Sequence, residues 1–240
     1  DHGVAQAQMS MHERDGTTFF GDPRHLLAGV LQQFNARGLT PVVAVELEFY
    51  LIDREPTALG LPQPPRAPRT GRREYRTQIN SMLDLDEYSA VLADIDAACL
   101  AQGVPSTTAL AEYGPGQFEV NLAHGSDVLA VCDQAMRFRR IVKCVARKHG
   151  MDATFISKPY ADMAGSGLHV HVSVNDRDGR NVFAAEDPLG TPLMQQAAAG
   201  LLATMADGMA VFAPLANCWR RFRPEAYVPL TADWSINNRG

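Results

Sequence analysis

The chain has 240 residues with a formal net charge of −5, and 46% of its residues are hydrophobic. This length allows one large domain or two small ones, and the composition excludes collagen, coiled coils and disordered tails. The acidic balance argues against nucleic acid as a partner, so a phosphate-bearing ligand needs a local basic patch or metal ions. No apolar run approaches the ~18 residues that indicate a membrane span, so we expect no membrane partner. Cysteines that are widely spaced, without a CxxC pair, favour free thiols and a cytoplasmic protein.

The predicted elements alternate between helices and strands along the chain. Asp22 and Pro23 begin a helix with apolar residues at helical spacing, and Gly38 ends it. The β-rich run 41–52 follows, and then a surface loop rich in proline and arginine at 54–73. Further helices are predicted near 87–102, 127–148 and 192–208, and strands near 104–111, 117–123, 152–157 and 167–174. A turn at 175–180 should lead to another short strand, and the last thirty residues should form loops. Hairpins mixed with helices indicate an α+β domain and not a doubly wound protein.

Two pairs of acidic residues occupy positions that suit a shared site. Glu46 and Glu48 alternate with apolar residues in the predicted strand, so both side chains point to the same face. Glu112 and Glu119 flank a Gly-Pro-Gly turn signal at 114–116, which can bring two strand ends together. Carboxylates buried that close to one another need a compensating cation. Each pair alone is also compatible with solvent-exposed acids, on a strand face or at an ordinary hairpin.

Histidines follow a glycine-rich segment at 165–167. His169, His171 and Ser173 alternate with apolar residues, so all three share one strand face. The glycines let the backbone approach a ligand closely. A lone histidine is usually structural, but two histidines and a serine on one face, after such a segment, favour a binding site.

Arginines are concentrated in two segments near the end of the sequence, 217–224 and 234–239, which include Arg221 and Arg239. A guanidinium in an irregular loop suits two-point binding of phosphate or carboxylate, although a basic surface loop without a ligand is the alternative. Together with four carboxylates and the imidazoles, these arginines indicate a site for hard divalent ions, Mg²⁺ or Mn²⁺. The sequence contains no Walker A motif, so metal ions and arginines must hold any nucleotide.

The order of these motifs resembles the catalytic domain of the glutamine synthetase family. The sequence contains, in family order, E-x-E, E-x-G-P-G-Q-x-E, K-P-x-x-x-x-x-G-S-G-x-H-x-H-x-S, N-x-x-R-R-F-x-P and W-x-x-N-N-R. The resemblance implies an α+β catalytic domain with a curved antiparallel sheet flanked by helices. It also implies a ligase that activates the γ-carboxylate of glutamate with ATP and passes it to an amine.

The resemblance also implies a role for each residue that matches a family motif. It implies two ions, Mg²⁺ or Mn²⁺, one on the glutamate side and one on the ATP phosphates. The implied roles are ligands of the glutamate-side metal (Glu48, Glu112, Glu119), ligands of the ATP-side metal (Glu46, His169), nucleotide contacts (His171, Ser173), a glutamate contact (Gly165), and arginines that hold carboxylate or the transferring phosphoryl group (Arg221, Arg239).

Two departures from the family pattern favour an organic amine or polyamine as acceptor. Ammonia-using members typically carry Asn before the glycine that corresponds to Gly165, where this sequence has Ala164. Those members also carry a flap Glu that helps to handle ammonium, and Tyr227 stands at that place while Glu225 lies two positions earlier. The sequence therefore resembles the γ-glutamylpolyamine and γ-glutamylamide synthetase branch. A true glutamine synthetase that uses ammonium, or an inactive assembly or regulatory relative, is the alternative.

The resemblance also divides the chain. Residues 17–240 match the catalytic domain, and residues 1–16 are expected to be a remnant of the family's N-terminal β-grasp domain or its linker. The family carries a further metal-binding Glu and a substrate Arg beyond the region that ends here at Gly240. We therefore expect an interior fragment, incomplete at its C-terminus and with little activity by itself, and a homo-oligomeric ring for the full-length protein.

Overall fold

The bounds of the helices and strands come from a computed structural model that describes residues 3, 5–224 and 226–236. The helices are α1 (Pro23–Ala36), α2 (Met82–Glu87), α3 (Ser89–Ala101), α4 (Val128–Lys148) and α5 (Pro192–Phe212). The strands are β1 (Thr40–Asp53), β2 (Ser106–Ala111), β3 (Gln117–Leu122), β4 (Met151–Thr154) and β5 (Leu168–Asn175). A 3₁₀ helix covers Cys218–Arg221. No helix formed by these residues is long and apolar enough to cross a membrane.

One open antiparallel sheet contains all five strands, and β1 is its centre. Strand β3 pairs with β1 along one edge, and β2 pairs with the far side of β3. Strands β4 and β5 share the opposite edge of β1, where β5 pairs with residues 40–47 and β4 with residues 50–53. The helices flank this sheet, which confirms the predicted α+β class.

The hydrophobic core lies on one face of the sheet, beneath α3 and α4. Alternate residues of β1 from Val43 to Leu51 are buried there, and Phe49 contacts the rings of Phe118 and Phe138. Helix α4 is anchored at its start because the Asp127 carboxylate accepts a hydrogen bond from the Ala130 amide at 3.0 Å. The period-2 pattern of β1 therefore assigns one face to the core and leaves the other for polar residues.

Strand β5 and helix α5 lie outside this core in the part of the chain that the structure describes. Leu168, Val170 and Val172 are each more than half exposed, on the side of β5 opposite to its histidines. No residue of α5 is buried, although the helix runs for 21 residues. The core is thus built mainly from β1 to β4, α3 and α4, and not from these two later elements.

Four local features of the structure differ from the predictions. The short strand expected after residue 180 is wrong: the described chain forms only an isolated bridge between Asn175 and Asn181. The Asp176 carboxylate accepts hydrogen bonds from the amides of Asp178 and Arg180. The chain then returns beside the end of β5, where the Val182 amide donates to the Val174 carbonyl at 2.8 Å, but it does not continue as a strand. Helix α2 was not predicted, and α5 extends four residues beyond its predicted end at Gly208. The loop expected over the last thirty residues also contains the 3₁₀ helix.

Candidate active site

The strand register places the predicted acids and histidines on one face of the sheet. Glu46 of β1 lies opposite His169 of β5, and Glu48 lies opposite Glu119 of β3. Directly paired residues of antiparallel strands point to the same face, so these side chains converge on the face that the core does not use. His171 is two residues further along β5 and shares that face.

Three of these residues could hold a metal ion together. Ligand atoms of Glu46, Glu119 and His169 all lie within 4.8 Å of one another. The His169 Nδ1 atom is 3.0 Å from Glu46 Oε2 and 4.0 Å from Glu119 Oε2. The His171 Nε2 atom is 2.9 Å from the other oxygen of Glu46. Oxygen donors with one imidazole fit Mg²⁺ or Mn²⁺ better than zinc.

Burial and repulsion between the carboxylates raise the pKa of two acids in this cluster. Burial raises the pKa of Glu112 to about 7, and the charges of Glu48 and Glu119 contribute to the same shift. Burial raises the pKa of Glu119 as well, with Glu46 and Glu48 as its charged neighbours. A divalent cation would offset this repulsion, so the electrostatics of the cluster also fit a metal site.

The glycine-rich segment, together with Ala164 just before it, lies directly against the acids. The Tyr50 hydroxyl donates a hydrogen bond to the Ala164 carbonyl at 2.9 Å, and the Glu48 amide donates to the Gly167 carbonyl at 3.2 Å. A Cβ atom at Gly167 would lie 2.8 Å from Glu48 Oε1, so any side chain there would force this carboxylate to move. Glycine thus lets the backbone approach the carboxylate in its present position.

Arg221 lies beside the same segment because a side-chain clasp holds its loop. The Asn217 carboxamide accepts from the Lys158 amide at 2.7 Å and donates to the Lys158 carbonyl at 2.9 Å. A Cβ atom at Gly165 would lie 2.9 Å from Arg221 Nε, so the guanidinium is in close contact with the glycine backbone. Burial lowers the pKa of the Lys158 ammonium, and Arg223 and Arg221 lower it further.

The structure brings together most, but not all, of the residues that the sequence singled out. Glu46, Glu48, Glu112, Glu119, His169 and His171 surround one region, and Gly165 and Arg221 meet next to it. Ser173 pairs with Val42, further along β5 and away from Glu46. Arg239 and its neighbours at 237–240 lie outside the described residues, as does Glu225. The individual roles that the resemblance implies stay predictions.

Sequence reasoning missed several residues that build the site. Gln117, Tyr50 and the Asn217–Lys158 clasp received no role, although three of them stand in the quoted motifs. Gln117 is two residues from Glu119 in β3, so strand alternation already places it on the acid face. The clasp has no local signal because its two residues are 59 positions apart.

Comparisons with known proteins agree with this geometry. The family model described as "Glutamine synthetase, catalytic domain" matches residues 20–240. The chain is 44% identical over 236 residues to gamma-glutamylputrescine synthetase PuuA of Escherichia coli (strain K12), covering 98% of this chain and 50% of that protein. It is 33% identical over 241 residues to a glutamine synthetase of Thermus thermophilus, covering 98% of this chain and 51% of that protein.

A solved structure described as "GmaS/ADP complex-Conformation 1" has a TM-score of 0.77 and 27% identity, and the match covers 89% of this chain and 48% of that one. The chain thus spans about half the length of the curated relatives that it matches. The family match nevertheless extends over nearly all of the 240 residues, from the segment before α1 to the end of the chain. The chain belongs to the glutamine synthetase family, through its catalytic domain.

Proposed function

We propose that this chain is part of an ATP-dependent ligase that joins the γ-carboxylate of glutamate to an amine. The observation that carries the proposal is the cluster of Glu46, Glu119 and His169 within 4.8 Å, beside the glycine-rich segment, in a member of this family. In the proposed reaction a γ-carboxylate oxygen of glutamate attacks the γ-phosphorus of ATP, and ADP leaves. The amine nitrogen then attacks the carbonyl carbon of γ-glutamyl phosphate, loses a proton and expels phosphate.

The residues of this chain supply binding and positioning for that reaction. Glu46, Glu119 and His169, with Glu48 and Glu112 beside them, would hold Mg²⁺ or Mn²⁺ ions at two or more sites. When bound, such ions neutralise phosphate charge and orient the transferring group. Arg221, held against Gly165, would bind the substrate carboxylate or the phosphoryl oxygens through its planar guanidinium. His171 and Ser173 would contact the nucleotide further along β5, and Arg239 would complete the arginine set.

An organic amine or polyamine is the proposed acceptor. The chain is 44% identical to a γ-glutamylputrescine synthetase and 33% identical to a glutamine synthetase, which supports the amine branch. The ring of Tyr227 lies near that of Tyr113, with centroids 5.4 Å apart. An aromatic pair therefore occupies the place where the family resemblance leads us to expect the ammonium-handling acid. Aromatic faces suit an organic cation. Ammonium remains the second candidate acceptor because of the glutamine synthetase relative.

The assembly and location of the protein are also part of the proposal. We propose a homo-oligomeric ring that contains residues 17–240 as a catalytic domain and residues 1–16 as the junction to an N-terminal β-grasp domain. Metabolite substrates and the absence of a basic surplus support a protein without nucleic acid or membrane partners. All four cysteines are free, which suits the reducing cytoplasm.

The test is ADP release by the protein produced from its complete gene, with glutamate, Mg²⁺ and a panel of amines. We expect release with a diamine such as putrescine, or with a monoamine, to exceed release with ammonium. Mass spectrometry should then detect the corresponding γ-glutamyl amide. ADP release that does not depend on glutamate or on any amine contradicts the proposal, and a preference for ammonium supports the second candidate.

A matched substitution tests the proposed role of Arg221. Arg221→Lys keeps the positive charge but loses the planar, two-point donor, so we expect kcat to fall by about 100-fold or more with the folding transition unchanged. The control is Arg220→Lys, the neighbouring residue in the same 3₁₀ helix, which should retain most of its activity. Equal kcat in wild type and Arg221→Lys contradicts the assignment of Arg221.

A further inference from the structure

Gln117 is a fully buried amide at the centre of the site, yet none of the reactions above uses it. Its side chain is 2% exposed and lies at the start of β3. The Gln117 Oε1 atom accepts a hydrogen bond from the Gly114 amide at 2.9 Å. The carboxamide is therefore oriented with its Nε2 group toward the site, because only the oxygen can accept from an amide.

The Nε2 group donates to two different parts of the site. One hydrogen bond goes to Glu48 Oε2 at 3.2 Å and the other to the Gly165 carbonyl at 3.0 Å. A primary amide has two N–H donors and both are used here. A single side chain thus connects the turn at 114–116, a carboxylate of β1 and the glycine-rich segment.

Among the residues that the structure describes, the other hydrogen bonds to this segment do not involve a carboxylate oxygen of Glu48. Tyr50 donates its hydroxyl to the Ala164 carbonyl, and the Glu48 backbone amide donates to the Gly167 carbonyl. These bonds hold the backbone of the segment without orienting the carboxylate. Gln117 both holds the segment and orients the carboxylate. Its hydrogen bond directs Glu48 Oε2 toward the Gln117 carboxamide and leaves Glu48 Oε1 toward Gly167.

The Gly165 carbonyl links this geometry to the arginine loop. Arg221 lies directly against Gly165, and Ser166 donates its amide to the Ser157 carbonyl at 2.9 Å. A shift of Gly165 therefore changes the place where the guanidinium meets the segment. The Glu48 carboxylate and the Arg221 contact surface are thus coupled through one amide group.

We propose that Gln117 is a positioning residue that fixes the Glu48 carboxylate and the glycine-rich segment relative to each other. This inference rests on the proposed metal site, because the benefit of an oriented carboxylate is tighter metal binding. Groups that hydrogen-bond to metal ligands typically affect metal affinity by about 10- to 100-fold. Gln117 acts through Glu48 and Gly165, so it is not itself a catalytic residue.

The experiment measures Mn²⁺ affinity by calorimetry in the protein produced from its complete gene. Gln117→Met keeps the approximate shape but removes all three hydrogen bonds, and we expect Mn²⁺ affinity to fall by about tenfold or more. The matched control is Tyr50→Phe, which removes a bond to the same segment without one to Glu48 and should change the affinity by less than about threefold. Equal affinities of wild type and Gln117→Met overturn the inference.

A double-mutant cycle separates coupling from general loosening. In the background of Glu48→Gln, the further substitution Gln117→Met should change Mn²⁺ affinity by less than about threefold, because the carboxylate that it orients is gone. The same loss in both backgrounds overturns the inference. Wild type that binds no Mn²⁺ overturns the proposed metal site and this inference together, whereas failure of the cycle alone leaves the metal site intact.

Hydrogen exchange provides a second readout if Gln117→Met does not fold. At a pH above the pKa of the new carboxyl group, Gln117→Glu keeps the bond accepted from Gly114 but, as a carboxylate, cannot donate to Glu48 or Gly165. Mn²⁺ should slow amide exchange in residues 164–167 of the wild type, and this protection should be lost in Gln117→Glu. Equal protection by Mn²⁺ in both proteins overturns the coupling.

Discussion

The two faces of β1 are built from alternate residues of one strand, yet their energetics are opposite. Val45, Leu47 and Phe49 are buried against the helices, where removal of apolar surface from water stabilises the fold. Glu46 and Glu48 point the other way, among carboxylates that repel one another. One face therefore supplies the stability that allows the other to keep charges close together. Substitutions on the apolar face should lower the stability of the fold. Substitutions on the acid face should weaken metal binding without lowering stability.

The largest expected effect is on the apolar face. Phe49→Ala removes a fully buried ring that contacts Phe118 and Phe138, so the free energy of unfolding should fall by about 3–5 kcal/mol. Urea denaturation of the metal-free protein measures this free energy of unfolding. Leu59→Ala, at a highly exposed position, is the control and should change stability by less than about 0.5 kcal/mol. Similar losses in both variants would contradict the division between the faces.

A smaller effect, on metal affinity and without a loss of stability, is expected on the acid face. Glu119→Gln removes a charge from the cluster, so Mn²⁺ affinity should fall by about tenfold, or roughly 1.4 kcal/mol, while the metal-free protein should not lose stability. Calorimetry and thermal unfolding measure the two quantities. Glu186→Gln removes an exposed acid and serves as the charge-matched control. Destabilisation of the metal-free protein by Glu119→Gln would mean that the acid face is not under repulsion.

The smallest effect concerns pH. The pKa of Glu112 is raised to about 7 in the folded chain from an ordinary value of 4.5, so the unfolded state loses this proton at lower pH than the folded state. Stability of the metal-free protein should therefore fall as pH rises from 4.5 to 7, and the penalty is complete above that range. Glu112→Gln should remove about 1 kcal/mol of this dependence, because partial exposure screens the charges. Unfolding curves at several pH values measure this pH dependence of stability. Parallel stability profiles for Glu112→Gln and wild type would contradict the role of Glu112.

Local patterns predict the part of this site that depends on strand alternation. The spacing of Glu46 and Glu48, and of His169 and His171, determines which face each side chain occupies, and the structure agrees. The motif order predicts the family, and the family match confirms it. These features follow from period-2 geometry and from the order of residues, both of which are present in the sequence itself.

Pairing across long separations is what the sequence does not predict. No local signal shows that β4 and β5 follow one another along the same edge of β1, because their partners lie more than 95 positions earlier in the chain. The bonds of Gln117 to Glu48 and Gly165 span 69 and 48 positions, so its role depends on tertiary structure. The turn at 175–180 shows the converse, since the Asp176 side chain binds amides two and four residues ahead and the sequence predicts this turn locally.

The central position of β1 has a consequence for the chain while it is being made. Glu46 and His169 are 123 residues apart, and a ribosome adds about 5–20 residues per second, so β1 is synthesised roughly 6–25 s before its partner β5. An apolar strand with an open edge can pair wrongly with a neighbouring nascent chain during that time. Glu46 and Glu48 oppose such pairing, since a second copy of β1 would bring like charges together. The acids of the site should thus also disfavour aggregation of the newly made strand.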